Sequence, residues 1–250
     1  MISKLQIIIA GGRITHKRAI ASVSFGKDSL AMLLGLIETK SPLDEVVFYD
    51  TGMEFDEIYQ VRDAILPILE KNNIKYTELH PKRPFIDTMI NYPHKARNGT
   101  IKKGYGWCGG MCRWGTTEKL KAIDQYCKNA IQYVGIAYDE KPRLERLKNT
   151  NKISPLEIWK MTEKDCLEFC YKRNVDWGGL YNILDRVSCW CCRNKNLKEL
   201  ANYYHYLPKY FKKLVELEGL IGEPMKKPKW LTERFCEGWT EHEWLRKQTR

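Results

Sequence analysis

Residues 19–29 constrain the fold more than any other stretch. An apolar run over 19–25 passes directly into Gly26-Lys27-Asp28-Ser29. Residues 30–37 then carry apolar side chains at helical spacing. A strand that turns tightly into a helix N-terminus makes an anion site. The first helical N–H groups have no intrahelical partner, and the helix dipole is positive there. Gly26 lets the backbone approach a ligand. Ser24 and Ser29 add hydroxyl donors, Lys27 adds a charge, and Asp28 is suited to fixing the loop or a metal such as Mg. The longer Gly-x4-Gly-Lys-Ser/Thr loop is not what stands here. Residues 24–29 read as a shorter phosphate-binding loop.

The remaining pattern supplies the scaffold. Residues 45–50 read as a second strand ending at Thr51-Gly52, residues 74–79 as a third and residues 131–137 as a fourth. Between them, 57–72 is helical, with Pro67 expected to kink or split it. Alternating strands and helices predict an α/β fold, a mainly parallel twisted sheet with helices on both faces. Ser154-Pro155 starts an extended segment. Thr162 with Asp165 resembles a helix N-cap pair, with helix following to about 173. Residues 198–217 read as helix interrupted at Pro208, and 222–229 as a basic loop. Residues 83–110 lack a regular pattern and read as a mobile basic loop over a site, bearing His94, Lys95, Arg97, Lys102 and Lys103. The expected division is a nucleotide-binding α/β domain over 1–180 and a cysteine-containing, mostly helical region over 181–250 packed on it.

Of the 250 residues 43% are hydrophobic, too many for a disordered chain. The net charge of +11 favours anionic partners such as nucleotides or nucleic acid. No apolar run approaches the roughly 18 residues of a membrane span, so no membrane partner is expected. The short apolar run over 5–10 does not continue into a secretory cleavage pattern. The expected location is the cytoplasm.

A reducing compartment gives the nine cysteines meaning, because clustered thiols there point to metal or redox chemistry. Cys108 and Cys112 form one close group, and Cys189, Cys191 and Cys192 another. Brought together by the fold, two such groups can hold a tetrahedral zinc or an iron–sulfur cluster. Gly109 and Gly110 would let the backbone wrap a metal. Cys127, Cys166 and Cys170 lie on helical segments and read as packing residues.

The loop Ser24-Phe25-Gly26-Lys27-Asp28-Ser29 resembles the Ser-Gly-Gly-Lys-Asp-Ser loop of the PP-loop ATP pyrophosphatases, and more narrowly the phosphoadenylyl-sulfate and adenylyl-sulfate reductase branch. Asp50-Thr51-Gly52-Met53-Glu54-Phe55 is similar to the segment after that family's second strand. Gly135-Ile136 with Glu140 and Arg143, and Pro155-Leu156 with Trp159, Thr162 and Asp165, are similar to its later segments. The resemblance spans about residues 19–193. It implies a parallel α/β sheet that binds an adenine nucleotide, either ATP or an adenylyl-sulfate. The phosphate would lie at Ser24, Phe25, Gly26, Lys27, Asp28 and Ser29. Adenosine would lie near Asp50, Thr51, Gly52 and Glu54, with Gly135 beside the nucleotide and Arg143 at its sulfate or phosphate end. Lys27 and Asp28 would be catalytic. Phe25 departs from the usual glycine and should stiffen the loop.

The cysteines resemble those that hold a 4Fe–4S cluster in the adenylyl-sulfate reductase branch. That assigns Cys108, Cys112, Cys189 and Cys192 as ligands and leaves Cys191 in reserve, with zinc as the alternative metal. The first pair departs from the family in being Cys-x3-Cys. The family's reductases use a cysteine in a C-terminal tail, and Cys236 in Phe235-Cys236-Glu237-Gly238 is the candidate here. The resemblance therefore implies a reductase acting in sulfur chemistry, served by a thioredoxin-like reductant. The alternative is an ATP-dependent sulfur transferase acting on nucleic acid, as in tRNA thiolation or DNA phosphorothioation.

Overall fold

A computed structural model describes residues 8–10, 13–15, 17–96, 98–108 and 112–236. The chain divides into two compact units. One comprises residues 1–50, 56–80 and 119–178, and the other 51–55, 81–118 and 179–250.

The first unit is an α/β fold. Its five-stranded sheet runs in the order Lys75–Leu79, Glu45–Tyr49, Ala19–Ser22, Ile131–Val134, Lys152–Ile153, and every neighbouring pair is parallel. Parallel strands are covered by helices, so they read as continuous apolar runs, and all five residues of Glu45–Tyr49 are buried. The buried charge of Glu45 is met by Thr77 Oγ1 and Tyr126 Oη, both donating to it, and by Lys75 at 3.2 Å. The helix Lys27–Glu38 follows the central strand and packs against the helix Glu163–Tyr171. Gly35 makes room for Trp159, whose ring would lie 2.6 Å from a Cβ placed there. The expected cap is present, with the Asp165 N–H donating to Thr162 Oγ1 and the Thr162 N–H donating to Asp165. A short antiparallel pair, Ile8–Ala10 with Arg13–Thr15, precedes the sheet.

Two expectations for this unit are corrected. Pro67 does not split its element, since Asp56–Lys71 is a single helix. Ile58, Val61, Ile65 and Leu69 form an unbroken buried stripe, while Pro67 faces solvent. Water can meet the carbonyl that loses its partner there. The extended segment expected from Ser154-Pro155 is instead the helix Pro155–Ile158, and the strand precedes it as Lys152–Ile153, an edge strand too short for periodicity to announce.

The second unit is mostly helical. Leu197–Tyr206 and Pro208–Ile221 meet at Pro208, which opens the second helix. Phe55, Tyr203 and Tyr210 form an aromatic core, with Phe55 and Tyr210 at 4.7 Å between centroids. Buried Glu218 accepts N–H bonds from Met225 and Leu231, which ties the helix Leu231–Phe235 back to its predecessor. The expected irregular loop over 83–110 instead contains the helix Phe85–Ile90 and an antiparallel hairpin, Pro93–Lys95 with Ile101–Lys103. Gly104, at φ +70°, brings the hairpin back onto that helix, where a Cβ would lie 2.3 Å from the Met89 carbonyl oxygen. Strands of three residues are below what alternation can signal. No helix among the described residues is long and apolar enough to cross a membrane.

Candidate functional site

The loop at 24–29 has the expected strand–turn–helix setting. The helix begins at Lys27, with Gly26 extended before it. Ser29 Oγ donates to the Gly26 carbonyl and accepts from the Ser24 N–H, each at 3.1 Å, which fixes the turn. Phe25 takes φ +57°, the region where glycine is favoured. That conformation costs roughly 1–2 kcal/mol for a residue with a Cβ. Burial offsets it, because the ring is fully enclosed and meets Phe48 edge-on at 5.2 Å. The Phe25 carbonyl also accepts from Trp177 Nε1 at 2.7 Å.

Lys27 Nζ donates to Asp28 Oδ1 at 2.8 Å and to Glu163 Oε2 at 2.6 Å. Burial works against the ammonium, but the two carboxylates outweigh it and raise its pKa above the ordinary 10.5. Burial raises the Asp28 pKa, with Lys27 offsetting this in part and Glu163 adding to it. Asp28 therefore takes up a proton more readily than an ordinary carboxylate. Glu163 carried no sequence signal beyond its place in a capped helix.

Gly135 lets the chain after Ile131–Val134 lie against the loop, because a Cβ there would come within 2.6 Å of Ser29 Cα. A cavity of about 340 Å³ opens between them, lined by Ser24, Ser29, Gly135 and Arg143 and by the further cations Lys119, Arg146 and Lys152. Of these cations, Arg146 and Lys152 carried no sequence signal. Arg143 Nη1 donates to Glu140, which also accepts from the Ala137 N–H. Asp50 ends the strand Glu45–Tyr49 and accepts from Tyr59 Oη at 2.6 Å. Asp50, Glu78 and His80 bring their ligand atoms within 4.8 Å of one another. Tyr76 and Arg62 already donate to Glu78.

Thr51, Gly52 and Glu54 belong to the second unit. There the Thr51 hydroxyl donates to Glu54 Oε1 and lies 3.8 Å from Cys189 Sγ. The Met53 carbonyl accepts from the Trp190 N–H at 2.9 Å. The expected nucleotide segment is thus strapped to the second cysteine group.

The two cysteine groups converge. Cys108, Cys112, Cys189, Cys191 and Cys192 line one cavity of about 390 Å³. A Cβ on Gly115 would lie 3.6 Å from Cys112 Sγ and 3.7 Å from Cys189 Sγ, so glycine keeps the space between the groups open. The Gly115 N–H donates to Cys112 Sγ at 3.3 Å. The Cys108 thiol donates to Cys112 and lowers its pKa to about 6, against the pull of burial. The same bond, with burial, raises Cys108. Trp107 Nε1 is anchored on the Glu223 carbonyl at 2.8 Å, and Tyr203 Oη on the Trp190 carbonyl at 3.0 Å, so both groups rest on the helical frame. Lys195, 3% exposed, lines the same cavity and lies 4.0 Å from Glu199. Burial lowers its pKa, while Glu199 and the Cys192 and Cys189 sulfurs oppose that. Four thiols from two segments, an N–H aimed at sulfur and a buried cation form a donor set that could hold an iron–sulfur cluster.

The phosphoadenosine phosphosulfate reductase domain profile matches residues 18–195. This chain belongs to that family. It is 26% identical over 234 residues to an uncharacterized protein of Methanocaldococcus jannaschii, covering 89% of this chain and 44% of that protein. It is 24% identical over 173 residues to an adenosine 5′-phosphosulfate reductase of Staphylococcus haemolyticus, covering 65% of each. The chain thus spans less than two thirds of either curated relative. The U34-tRNA thiolase NcsA from Methanococcus maripaludis, solved with its 4Fe–4S cluster, is similar at a TM-score of 0.43 and 15% identity, covering 87% of this chain and 75% of that one.

Within this phosphoadenosine phosphosulfate reductase-family chain the remaining thiols are closed. Cys191 is 4% exposed, and burial with the neighbouring Cys189 and Cys192 raises it well above 9.0. Cys236 is 3% exposed, and burial pushes its thiol to about 11. It lines neither of the two cavities. The residues that follow it, 237–250, lie outside the described residues, as do Arg97, Gly109 and Gly110. Cys127, Cys166 and Cys170 are fully buried.

Proposed function

We propose that this family member is an adenine-nucleotide-dependent enzyme of sulfur chemistry, and that its reaction is ATP-dependent sulfur transfer. The observation that supports the sulfur chemistry is the convergence of two cysteine groups on a cavity of about 390 Å³, more room than one zinc ion needs, and the burial of Cys236 is what favours transfer over reduction. Cys108, Cys112, Cys189 and Cys192 would hold a 4Fe–4S cluster, and Lys195 would balance its charge. Bound there, the cluster would supply the iron–sulfide chemistry of delivery.

Ser24, Ser29 and the first N–H groups of the helix would hold phosphate, with Phe25 and Gly26 shaping the turn. Lys27 would neutralise charge on the transferring group, and Asp28 would hold a proton or a Mg ion. Asp50, Thr51, Gly52 and Glu54 would hold adenosine. Gly135 would leave space for the nucleotide, and Arg143 would meet its anionic end. ATP would adenylylate an acceptor oxygen with loss of pyrophosphate, and a sulfide would then attack the activated carbon and displace AMP, which leaves with that oxygen.

A second reading rests on the Staphylococcus haemolyticus relative, an adenosine 5′-phosphosulfate reductase. Cys236 would then attack the sulfur of adenylyl-sulfate and expel AMP to form a thiosulfonate, and a thioredoxin-like dithiol would cleave this to sulfite, itself becoming a disulfide. Burial of Cys236 weighs against it, because the thiolate is the nucleophile. Two assays on anaerobically purified protein decide between them. The transfer reading expects pyrophosphate from ATP that is lost in Lys27→Ala. Sulfite from adenylyl-sulfate that vanishes in Cys236→Ser, without pyrophosphate from ATP, would overturn it. Stoichiometric zinc in place of iron would remove the cluster.

A further inference from the structure

We propose that the hairpin Pro93–Lys95/Ile101–Lys103 and the ring stack beside it form a binding arm for single-stranded nucleic acid. The first observation is charge. Residues 81–107 carry Lys82, Arg83, Lys95, Arg97, Lys102 and Lys103 against the single acid Asp87. That acid is engaged by Asn91 Nδ2 at 2.9 Å. Lys95, Lys102 and Lys103 are exposed and make no ion pair among the described residues. A solvated strand needs no such concentration of one sign, whereas a phosphate backbone is matched by it.

The second observation is the face that these cations flank. Pro93 pairs with Lys103 and Lys95 with Ile101, so these four side chains share one side of the hairpin. Ile101 is 80% exposed on it. An apolar side chain between two lysines suits a base beside its phosphates.

The third observation concerns the rings. Tyr105 is stacked by His94 at 4.1 Å and 12° and by Tyr92 at 5.9 Å and 9°. Arg83 lies 4.5 Å from the Tyr92 ring centre and Arg113 lies 4.7 Å from that of Tyr105. Parallel rings and guanidinium planes are the platforms on which unpaired bases stack. A duplex buries those base faces, which favours a single strand. An acidic peptide would use the charges but not the rings.

The rings also lead somewhere. Tyr105 meets Trp114 at 5.7 Å, and Trp114 meets Phe85 at 4.9 Å. Phe85 lines the cysteine cavity. The arm is thus packed against the wall of the thiol cavity through the buried Trp114 and Phe85, which suits it to bring a strand near the thiols. That purpose, presenting an acceptor for sulfur, rests on the transfer reading above, whereas the binding does not.

The test is fluorescence anisotropy of the full chain with a labelled single strand of roughly 16 nucleotides, long enough for one such site. RNA and DNA versions are compared with their duplex across a salt series, without ATP. Wild type should bind the single strands more tightly than the duplex, and the RNA and DNA arms identify which is preferred. Lys95→Gln/Lys102→Gln/Lys103→Gln should weaken binding about tenfold or more and flatten the log–log salt slope by about 2. Arg83→Ala should also weaken binding while flattening the slope by no more than one phosphate contact, about 0.7. The circular dichroism and ATP response of the triple variant should match wild type. Equal binding by wild type and triple variant, equal affinity for duplex, or equal competition by polyglutamate would each overturn the proposal. Failure of the transfer reading would instead show as lost ATP turnover with strand binding intact.

Discussion

The phosphate loop and the cysteine centre are built in opposite ways. The loop is six consecutive residues whose local conformation already presents a helix N-terminus, with Gly26 and Ser29 closing the turn within it. The cysteine centre has no local identity. Cys112 and Cys189 are far apart in sequence, yet their sulfurs flank the same point above Gly115. The loop's character therefore survives as a motif, while that of the centre exists only after folding. The two should respond differently to substitution.

The largest effect is expected at the centre. Cys112→Ala or Cys189→Ala should lose essentially all bound iron and visible absorbance after anaerobic purification, while Cys191→Ala retains most of both. Equal losses in all three would dissolve the distinction between ligands and the buried reserve thiol.

Next comes the loop. Lys27→Ala should weaken ATP binding roughly 10- to 100-fold by calorimetry, the range of a lost charge-assisted hydrogen bond of about 1.5–3 kcal/mol. Glu163→Gln removes one of the two carboxylates that hold the ammonium and should weaken binding far less. If the two variants behave alike, the ion pair itself and not the lysine charge supports the site.

Smaller effects test what holds the loop in place. Gly135→Ala puts a methyl group against the Ser29 backbone, 2.6 Å from Cα. It should cost about 1–3 kcal/mol in urea unfolding, as overpacking does. Gly35→Ala meets a ring at the same 2.6 Å, but the Trp159 side chain can shift, so the loss should be less.

The smallest effect is a limb of the pH profile. Glu45 is held below its ordinary 4.5 because its hydrogen bonds from Thr77 and Tyr126 and its pairing with Lys75 outweigh burial. A depressed carboxylate contributes stability above its unfolded pKa and loses it as pH falls through the folded value. Wild-type thermal stability should therefore fall below about pH 4.5 by an increment missing from Glu45→Gln.

Much of the fold was legible because its signals are local. Residues 46–49 are an apolar run of strand length, 74–79 place Ile74, Tyr76 and Leu79 among polar residues over a strand's length, and Thr162 with Asp165 is a reciprocal cap that forms within one helical turn. Pro67 misled because the cost of proline depends on which way its missing donor faces, and only packing sets that. The hairpin after Tyr92 was missed because three-residue strands carry no period. Phe25 was legible as a departure from glycine, but its burial against Phe48 could not be read from one residue. Lys195 carried no signal at all, since an isolated lysine in sequence resembles any solvated one.

By itself the sequence determined the parallel α/β framework and the loop at Ser24–Ser29, because turn geometry and strand and helix periods are properties of neighbouring residues. It also supplied the inventory of thiols. Only the tertiary structure decided that Cys108 and Cys112 share a cavity with Cys189, Cys191 and Cys192, that Lys195 is buried there, and that Lys27 is held by Glu163. Those are contacts between distant segments. Their strength comes from exclusion of water, which no short stretch of chain achieves alone.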